Sequence, residues 1–411
     1  MNTSSSVAEF SPEIGLLICC SRSHLDESHC RTLDRLLRCG LDWSKVIRAA
    51  ERHAILPLLS SHLNRYSGLI PADVVDHLRS ARQLNALRNT LLTNELCVLL
   101  ERFQQHSLPA IMFKGPALSL TLYDHLLLRR FGDLDLLIHK SDLARTTTML
   151  ESNGYRLAIS ARQQRYFLKH RYHYSFIRED GKVVVEVHWA FTPRCWSCEL
   201  EEETLWGQRS WVTYRGTMIP TLSPEHHLLV LCAHGAKERW ARLQLVVDLS
   251  ELIRRYPIDW QWVWAEAARI RRERVLLLGL ALAQGLLAAE LPARMKQRVA
   301  NDDDVRCLVD ILLRDFFSKH RWPLRGIHLH RYFFRVWHHP IDRYRYGREQ
   351  LFGLPQRLMH LMTPSEADQI AWRLPTRLRF LYYVVRPFRL IYVYRNPRHM
   401  IVRLLRFFGL S

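Results

Sequence analysis

One short apolar run, LDLLI (134–138), is interrupted by one carboxylate and preceded by another. Asp133 and Asp135 lie one residue apart, directly after Gly132, where the backbone can turn freely. On a β-strand the two side chains point to the same side, with Cβ atoms ~6.5–7 Å apart. Two like charges at the end of a buried strand need a cation or hydrogen-bond donors to offset their repulsion. The run therefore predicts a strand whose end binds a cation.

The hydrophobic pattern changes its period twice along the chain. Apolar residues recur every three or four positions up to about residue 103, and again from Pro224, which is typical of helices. Short apolar runs separated by turn residues lie between them. The pattern predicts an α+β fold, with a small mixed sheet between helical regions. We expect a helical region 1–105, a sheet core 106–222, a helical region 223–300 and a basic, aromatic helical region 301–411.

The sheet core carries recognisable strand signals. Strands are expected at PAIMFKG (109–115), DLDLLI (133–138), YRLAI (155–159) and, as a hairpin around a Glu-Asp-Gly turn, HYSFIRED (173–180) and GKVVVEVHW (181–189). TMIPTL (217–222) is expected as a further edge strand. One helix should open with Pro116 in its first turn, and another should run from Ser141 as N-cap to Gly154 as its stop.

A third carboxylate interrupts the second strand of that hairpin. Glu186 alternates with valines and shares its face with His188. Because an unpaired charge is costly inside a core, we expect Glu186 to face the same cleft as Asp133 and Asp135. Three carboxylates suit Mg²⁺, and pairs of such ions ~3.5–4 Å apart serve phosphoryl transfer. The alternative is a solvated strand face.

The charge balance indicates an anionic partner. The chain has 59 Lys and Arg against 40 Asp and Glu, a net charge of +19. Nucleotide phosphates, nucleic acid and an anionic membrane surface all fit such an excess. The tail at 377–408 mixes Arg with Tyr and Phe, which suits single-stranded nucleic acid, a membrane interface or solvated helices.

Cysteine use and hydropathy bear on the compartment. Nine cysteines spread over 411 residues do not form a disulfide framework, and no signal peptide is evident, so we expect a cytoplasmic protein. Peripheral contact with the inner face of the membrane stays open. The apolar run 275–291 is short for a membrane span and predicts a buried helix, whereas 380–394 is broken by Arg and Pro. Cys195 and Cys198 have C-x-x-C spacing, but without a second pair we expect no zinc site.

Three histidines share a predicted helix after the sheet. His226, His227 and His234 precede Asp248, but the adjacent His-Asp pair of helical metal phosphohydrolases is missing. We expect core or cleft-lining histidines. If this helix packs over the sheet, His234 and Lys237 would be placed to touch substrate.

Taken together, the motifs of the core resemble those of an uncharacterised nucleotidyltransferase family within the polymerase-beta-like superfamily. They are Lys114-Gly115, Tyr123, Arg129 or Arg130, Gly132-Asp133-Leu134-Asp135, Gly154-Tyr155 and Glu186-Val187-His188-Trp189. The resemblance covers about Lys114 to Tyr256.

This resemblance implies a nucleotidyltransferase core that moves a nucleoside monophosphate from an NTP to an acceptor, which the sequence does not identify. It implies two Mg²⁺ ions on Asp133, Asp135 and Glu186, with Glu186 assisting the attacking hydroxyl. The nucleotide-binding set that it implies is Lys114, Gly115, Arg129, Arg130 and His188. The wider superfamily has Gly-Ser where this chain has Lys114-Gly115-Pro116, so Lys114 would supply charge in place of the hydroxyl.

Two other function classes stay open. One is a protein that keeps the fold and binds nucleotide or a membrane surface without turnover. The other is a nucleic-acid-binding protein, for which affinity should fall steeply with salt.

Overall fold

Five strands between residues 110 and 188 form one mixed sheet in the structure, a computed structural model that describes residues 10–193, 196, 198–316, 327–352 and 381. In chain order the strands are β1 (Ala110–Met112), β2 (Leu134–Ile138), β3 (Tyr155–Leu157), β4 (His173–Arg178) and β5 (Val184–His188). Their spatial order is β1-β2-β5-β4-β3. Only the β2–β5 pair is parallel within this sheet. The predicted α+β fold with a small mixed sheet is confirmed.

Burial explains the composition of β2. All five of its residues are buried, which is why the strand is apolar on both faces apart from Asp135. Strand β5 is parallel to β2 on one side and antiparallel to β4 on the other, as the predicted hairpin requires.

The segment TMIPTL does not extend this sheet. Residues Ser210–Tyr214 (β6) and Thr217–Thr221 (β7) form a separate two-stranded antiparallel hairpin. The prediction of an edge strand there was therefore wrong in its pairing. The hairpin is tied to the sheet through Thr221, whose hydroxyl donates to the carbonyl oxygen of Met112 at 2.7 Å.

Helices precede the sheet, as the periodicity predicted. Their bounds are α1 (Pro12–Cys19), α2 (Glu27–Leu37), α3 (Trp43–Arg52), α4 (Leu56–Leu63) and α5 (Ala72–Gln105). Asp26 and Asp42 cap α2 and α3 by accepting backbone N–H groups, which satisfies donors that a helix start leaves open. The long helix α5 buries Leu92, Leu96 and Phe103 in the same core as the sheet.

Short helices connect the strands. They are α6 (Gly115–Tyr123), α7 (Leu143–Ser152), α8 (Ala161–His170) and α9 (Glu202–Gly207). Pro116 lies in the first turn of α6 as predicted. Asp142, not Ser141, is the N-cap of α7, because a single 3-10 turn over Lys140–Asp142 precedes that helix. Gly154 follows α7 with φ +77°, a left-handed conformation that favours glycine.

A helical layer follows the β6–β7 hairpin. Its helices are α10 (Pro224–Lys237), α11 (Leu243–Arg255), α12 (Trp260–Arg269), α13 (Glu273–Leu287), α14 (Ala293–Asn301) and α15 (Asp303–Phe316). Helix α13 contains most of the apolar run 275–291 and is largely buried, which confirms the prediction of a core helix. Within the described parts of the chain, no helix is both long and apolar enough to cross a membrane.

The chain divides into two compact units, Met1–Arg321 and Trp322–Ser411. The second unit contains α16 (Ile327–Val336) and α17 (Pro340–Phe352). The expected aromatic tail at 377–408 lies outside the described residues except for Leu381. The boundaries expected at 105, 222 and 300 stay predictions.

Candidate functional site

Three neighbouring strands bring acidic and imidazole side chains together on the sheet. Parallel pairing of β2 and β5 sets Asp135 directly opposite Glu186. Antiparallel pairing of β4 and β5 sets His173 opposite His188, which follows Glu186 by two residues and so shares its face. Asp133 immediately precedes β2. The register thus gathers the three carboxylates that the sequence predicted to bind metal.

Asp135 is the most enclosed of the three carboxylates, with a side chain only 4% exposed. Lys114 donates from Nζ to its Oδ1 at 3.1 Å, and Nε2 of His188 lies 3.1 Å from the same oxygen. Burial alone would raise the pKa of Asp135, but the charge of Lys114 and the hydrogen bond from His188 hold it well below its usual range. Asp135 is therefore ionised at neutral pH.

The pKa of Asp133 is shifted in the opposite direction from that of Asp135. Burial, and then the negative charges of Asp135 and Glu186, raise the pKa of Asp133 to about 6. Lys114 and Arg129 offset this only in part. A divalent cation near Asp133 would remove the cost of ionising it.

Lys114 and Gly115 form the turn between β1 and α6. The side chain of Lys114 is 18% exposed, and although burial opposes it, the charges of Asp135 and Asp133 raise the pKa of Lys114. Gly115 has φ +54°, and a Cβ there would come within 3.2 Å of the carbonyl oxygen of Asp133. Glycine meets both conditions without strain, so this residue lets the turn approach the start of β2 closely.

Glu186 contacts two imidazole rings. Its Oε2 is 3.3 Å from Nε2 of His188, and its Oε1 is 3.7 Å from Nε2 of His173. Burial would raise the pKa of Glu186, but the hydrogen bond from His188 leaves it lowered. Burial, with the neighbouring His188, lowers the pKa of His173 to about 4, so that ring is neutral at pH 7.

His173 is the site residue that sequence reasoning missed. Within the described residues, one set of three or more His, Cys, Asp and Glu side chains has ligand atoms all within 4.8 Å of one another, namely His173, Glu186 and His188. The signal was present in the sequence, because counting outward from the hairpin turn pairs His173 with His188.

Helix α10 contributes groups beside these strands. Lys237 donates to the hydroxyl of Tyr172 at 2.9 Å, and the Tyr172 ring contacts those of His173 and His188. Burial, and then the charges of Lys114 and Lys237, lower the pKa of His234 well below its usual value. Contact of His234 and Lys237 with a substrate stays a prediction.

The two arginines expected to bind nucleotide have different surroundings. Arg129 is buried and makes a two-pronged ion pair with Asp248, with contacts of 3.0 to 3.1 Å. Tyr123 donates to the same carboxylate at 2.7 Å. Arg129 is thus engaged with a core acid, whereas Arg130 is exposed. The structure does not bring the Arg129 guanidinium to the carboxylate cluster as a free donor.

The remaining histidines of α10 are core residues, as expected. Nε2 of His227 lies 3.1 Å from the carbonyl oxygen of Phe113, and Nδ1 of His226 lies 2.7 Å from the Ser223 hydroxyl. Of the C-x-x-C pair, Cys195 lies outside the described residues. Burial raises the pKa of the Cys198 thiol to about 12.

Comparison with known proteins gives a family for this chain. The profile of a family described as uncharacterised nucleotidyltransferase matches residues 40–288. No curated protein matches the chain. Among solved structures, an antigenic nucleotidyltransferase-like protein from Paracoccidioides brasiliensis is 18% identical, with 50% of this chain and 93% of that chain covered and a TM-score of 0.29. Because the profile spans more than half of the 411 residues, the chain belongs to the uncharacterised nucleotidyltransferase family.

Proposed function

We propose that this protein transfers a nucleoside monophosphate from an NTP to an acceptor, in a Mg²⁺-dependent reaction at Asp133, Asp135 and Glu186. The observation that carries the proposal is the parallel register of β2 and β5, which sets Asp135 opposite Glu186 beside Asp133. Family membership supports a general role in nucleotidyl transfer. The identity of the acceptor belongs to experiment.

The donor set fits Mg²⁺ ions. Carboxylate oxygens are the protein ligands that Mg²⁺ prefers, and the pKa of Asp133 is raised by burial and then by repulsion from Asp135 and Glu186, both of which a divalent cation would offset. Asp133, Asp135 and Glu186 would hold the metal. Bound there, Mg²⁺ supplies charge neutralisation for the phosphates and for the oxygens that exchange at the α-phosphorus.

The chain's own residues would bind the phosphates and accept a proton. Lys114 carries its charge in the turn that leads into α6, where it can pair with a phosphate oxygen. The amide of Gly115 opens the same helix, whose N-terminal end favours anions. Glu186, whose carboxylate contacts the rings of His188 and His173, can accept the proton of an attacking hydroxyl.

A transfer assay with the full chain tests this proposal. The purified protein is incubated with each α-labelled NTP and Mg²⁺, with nucleic acids, proteins and small molecules as acceptors, and the products are identified by mass. We expect Asp133→Ala and Asp135→Ala to lower the transfer rate by at least about 100-fold, since each removes charge that acts in the transition state.

The matched control is Asp76→Ala. Asp76 is an exposed acid of α5, paired with Arg79 and outside the site, so this variant should retain the wild-type rate. Undiminished transfer in both site variants would end the catalytic assignment.

One observation favours a second candidate, a nucleotide-binding protein without turnover. Lys114 forms an ion pair with Asp135, and the Lys-Gly-Pro turn has no hydroxyl for the phosphates. Such a protein would bind NTP equally well with and without EDTA and would give no labelled product. Calorimetric titration of NTP under both conditions separates the two candidates.

A further inference from the structure

The geometry points to a transition-metal site formed by His173, Glu186 and His188, with a nitrogen-rich donor set that differs from the oxygen set of the two aspartates. The ligand atoms of these three residues all lie within 4.8 Å of one another. We propose that it binds a divalent ion such as Zn²⁺ or Co²⁺ in preference to Mg²⁺. The role of this ion in the protein rests on the proposed function, whereas binding of the ion does not.

Strand register builds the site. In an antiparallel pair, directly opposed residues have Cβ atoms ~4.5–5.5 Å apart, and His173 opposes His188 in this way. The two rings stack with centroids 4.9 Å apart and planes 26° apart. Glu186 is two residues before His188 and therefore lies on the same face.

The distances are close to those that a single ion imposes. A tetrahedral ion with bonds of ~2.0–2.2 Å holds its ligand atoms ~3.4 Å apart. Oε2 of Glu186 is 3.3 Å from Nε2 of His188, and its other oxygen, Oε1, is 3.7 Å from Nε2 of His173, so each contact is close to this spacing. With ligand atoms within 4.8 Å of one another, no pair needs to approach by more than about 1.4 Å to hold one ion.

Neighbouring rings hold the ligands in place. Tyr172 packs edge-on against His173, with centroids 4.6 Å apart, and Phe113 packs edge-on against His188 at 5.0 Å. His188 is only 2% exposed, whereas the side chains of His173 and Glu186 are 19% and 25% exposed. A site closed on one side and open on the other leaves a coordination position for a substrate atom.

The donor types decide the kind of ion. Mg²⁺ selects oxygen ligands, while imidazole nitrogen suits Zn²⁺, Co²⁺ and related ions. Because Glu186 belongs to both donor sets, it connects this site with Asp135, its partner across the β2–β5 register. The expected consequence is a centre that combines two different metals.

Metal titration without nucleotide tests the proposal. The full chain is stripped with EDTA, dialysed and titrated with Co²⁺ by visible absorption and with Zn²⁺ by calorimetry, both in millimolar Mg²⁺. We expect about one equivalent to bind in spite of the Mg²⁺. His173→Gln should weaken this binding at least tenfold, because it removes one nitrogen ligand, and Asp133→Asn should leave it in place.

His139→Gln is the matched control. Nδ1 of His139 lies 2.6 Å from a carboxylate oxygen of Glu202, outside the cluster. Replacing His139 therefore shows whether a single His-Glu pair is enough to account for the metal binding. Wild-type binding that Mg²⁺ abolishes, or equal affinity of wild type and His173→Gln, would overturn the proposal.

A measurement on the wild type covers the case in which His173→Gln fails to fold. X-ray absorption of the Zn²⁺-loaded protein should show two imidazole ligands, and a shell of oxygen alone would refute the site. A chain that binds Zn²⁺ in this way but transfers no nucleotide would refute the proposed function and leave the metal site standing.

Discussion

Asp133 is a carboxylate whose ionisation is unfavourable in its folded environment. Its folded pKa of about 6 lies above its ordinary value of 3.8, because of burial and then of its acidic neighbours. Between these two pH values the unfolded chain has already released a proton that the folded chain still holds. Stability therefore falls as pH rises through this window, and the loss, at most about 3 kcal/mol, is complete above about pH 6.

Asp133→Asn should accordingly stabilise the metal-free protein. We expect its thermal midpoint at pH 7.5 to rise by several degrees, and the fall in stability between pH 4 and pH 6 to become shallower. Mg²⁺ should then raise the midpoint less than it does in wild type. Thermal unfolding with EDTA and with Mg²⁺ measures these effects.

Asp76→Asn serves as the control for this change. Asp76 is exposed, so its replacement should alter stability by no more than about 0.5 kcal/mol. A lower midpoint for Asp133→Asn at pH 7.5 would mean that the carboxylate is stabilising and that its charge is already compensated.

For single residues, the sequence predicts which face of a strand a side chain occupies better than it predicts which distant residue that side chain contacts. Alternation along the strand is enough to predict that Glu186 lies on the side of the aspartates, and its register opposite Asp135 agrees. The partner of Arg129 is a different matter, because Asp248 follows 119 residues later and nothing local links the two. A buried ion pair of this kind depends on how α11 packs, which periodicity does not encode.

Among the helices, α13 contains two glycines, one closely packed and one with open space around it. A Cβ on Gly279 would lie 2.7 Å from Sγ of Cys232 and 3.0 Å from the Trp240 ring, so this glycine allows α13 to pack closely against α10. A Cβ on Gly285 would meet nothing within 4 Å. The same helix therefore contains both a position that requires glycine and one that does not.

We expect Gly279→Ala to destabilise the protein by about 1–3 kcal/mol, because the added methyl group overpacks the helix contact. Gly285→Ala should instead stabilise it by about 0.5–1 kcal/mol, since alanine favours the helix. Urea unfolding of the two variants measures the difference. Equal effects from the two changes would contradict the packing of α13 described above.

Strands and helices with strong patterns were predictable, and their pairing was less so. The hairpin of β4 and β5 follows from alternation around a turn. The pairing of β7 with β6 was not predicted, because an edge segment carries no local signal that identifies its neighbour. Helix α8 was not predicted, since ARQQRYFLKH is too polar to show a clear apolar period.

For the whole molecule, the net charge of +19 has a measurable consequence. Binding to a polyanion releases counterions, so its affinity depends on salt. We expect affinity for a single-stranded RNA oligonucleotide to fall at least about tenfold between 50 and 200 mM salt, with a parallel fall for vesicles rich in anionic lipid. Fluorescence titration with RNA and co-sedimentation with vesicles measure the two.

Uncharged vesicles are the control and should not bind. Affinity for RNA that does not change with salt would show that the surplus charge has another role. A fall confined to one of the two polyanions would decide between the nucleic-acid and membrane interpretations of the basic region.

The alternation along β5 has a consequence for how reliably this protein assembles. If β5 paired with β2 one residue out of step, Val185 and Val187 would be turned away from the core and Glu186 and His188 would be turned into it. Glu186 and His188 would leave the site in the same event that disrupts the hydrophobic interior. A misregistered chain would therefore lose both core packing and the proposed site, so the register that buries the valines also sets the position of Glu186.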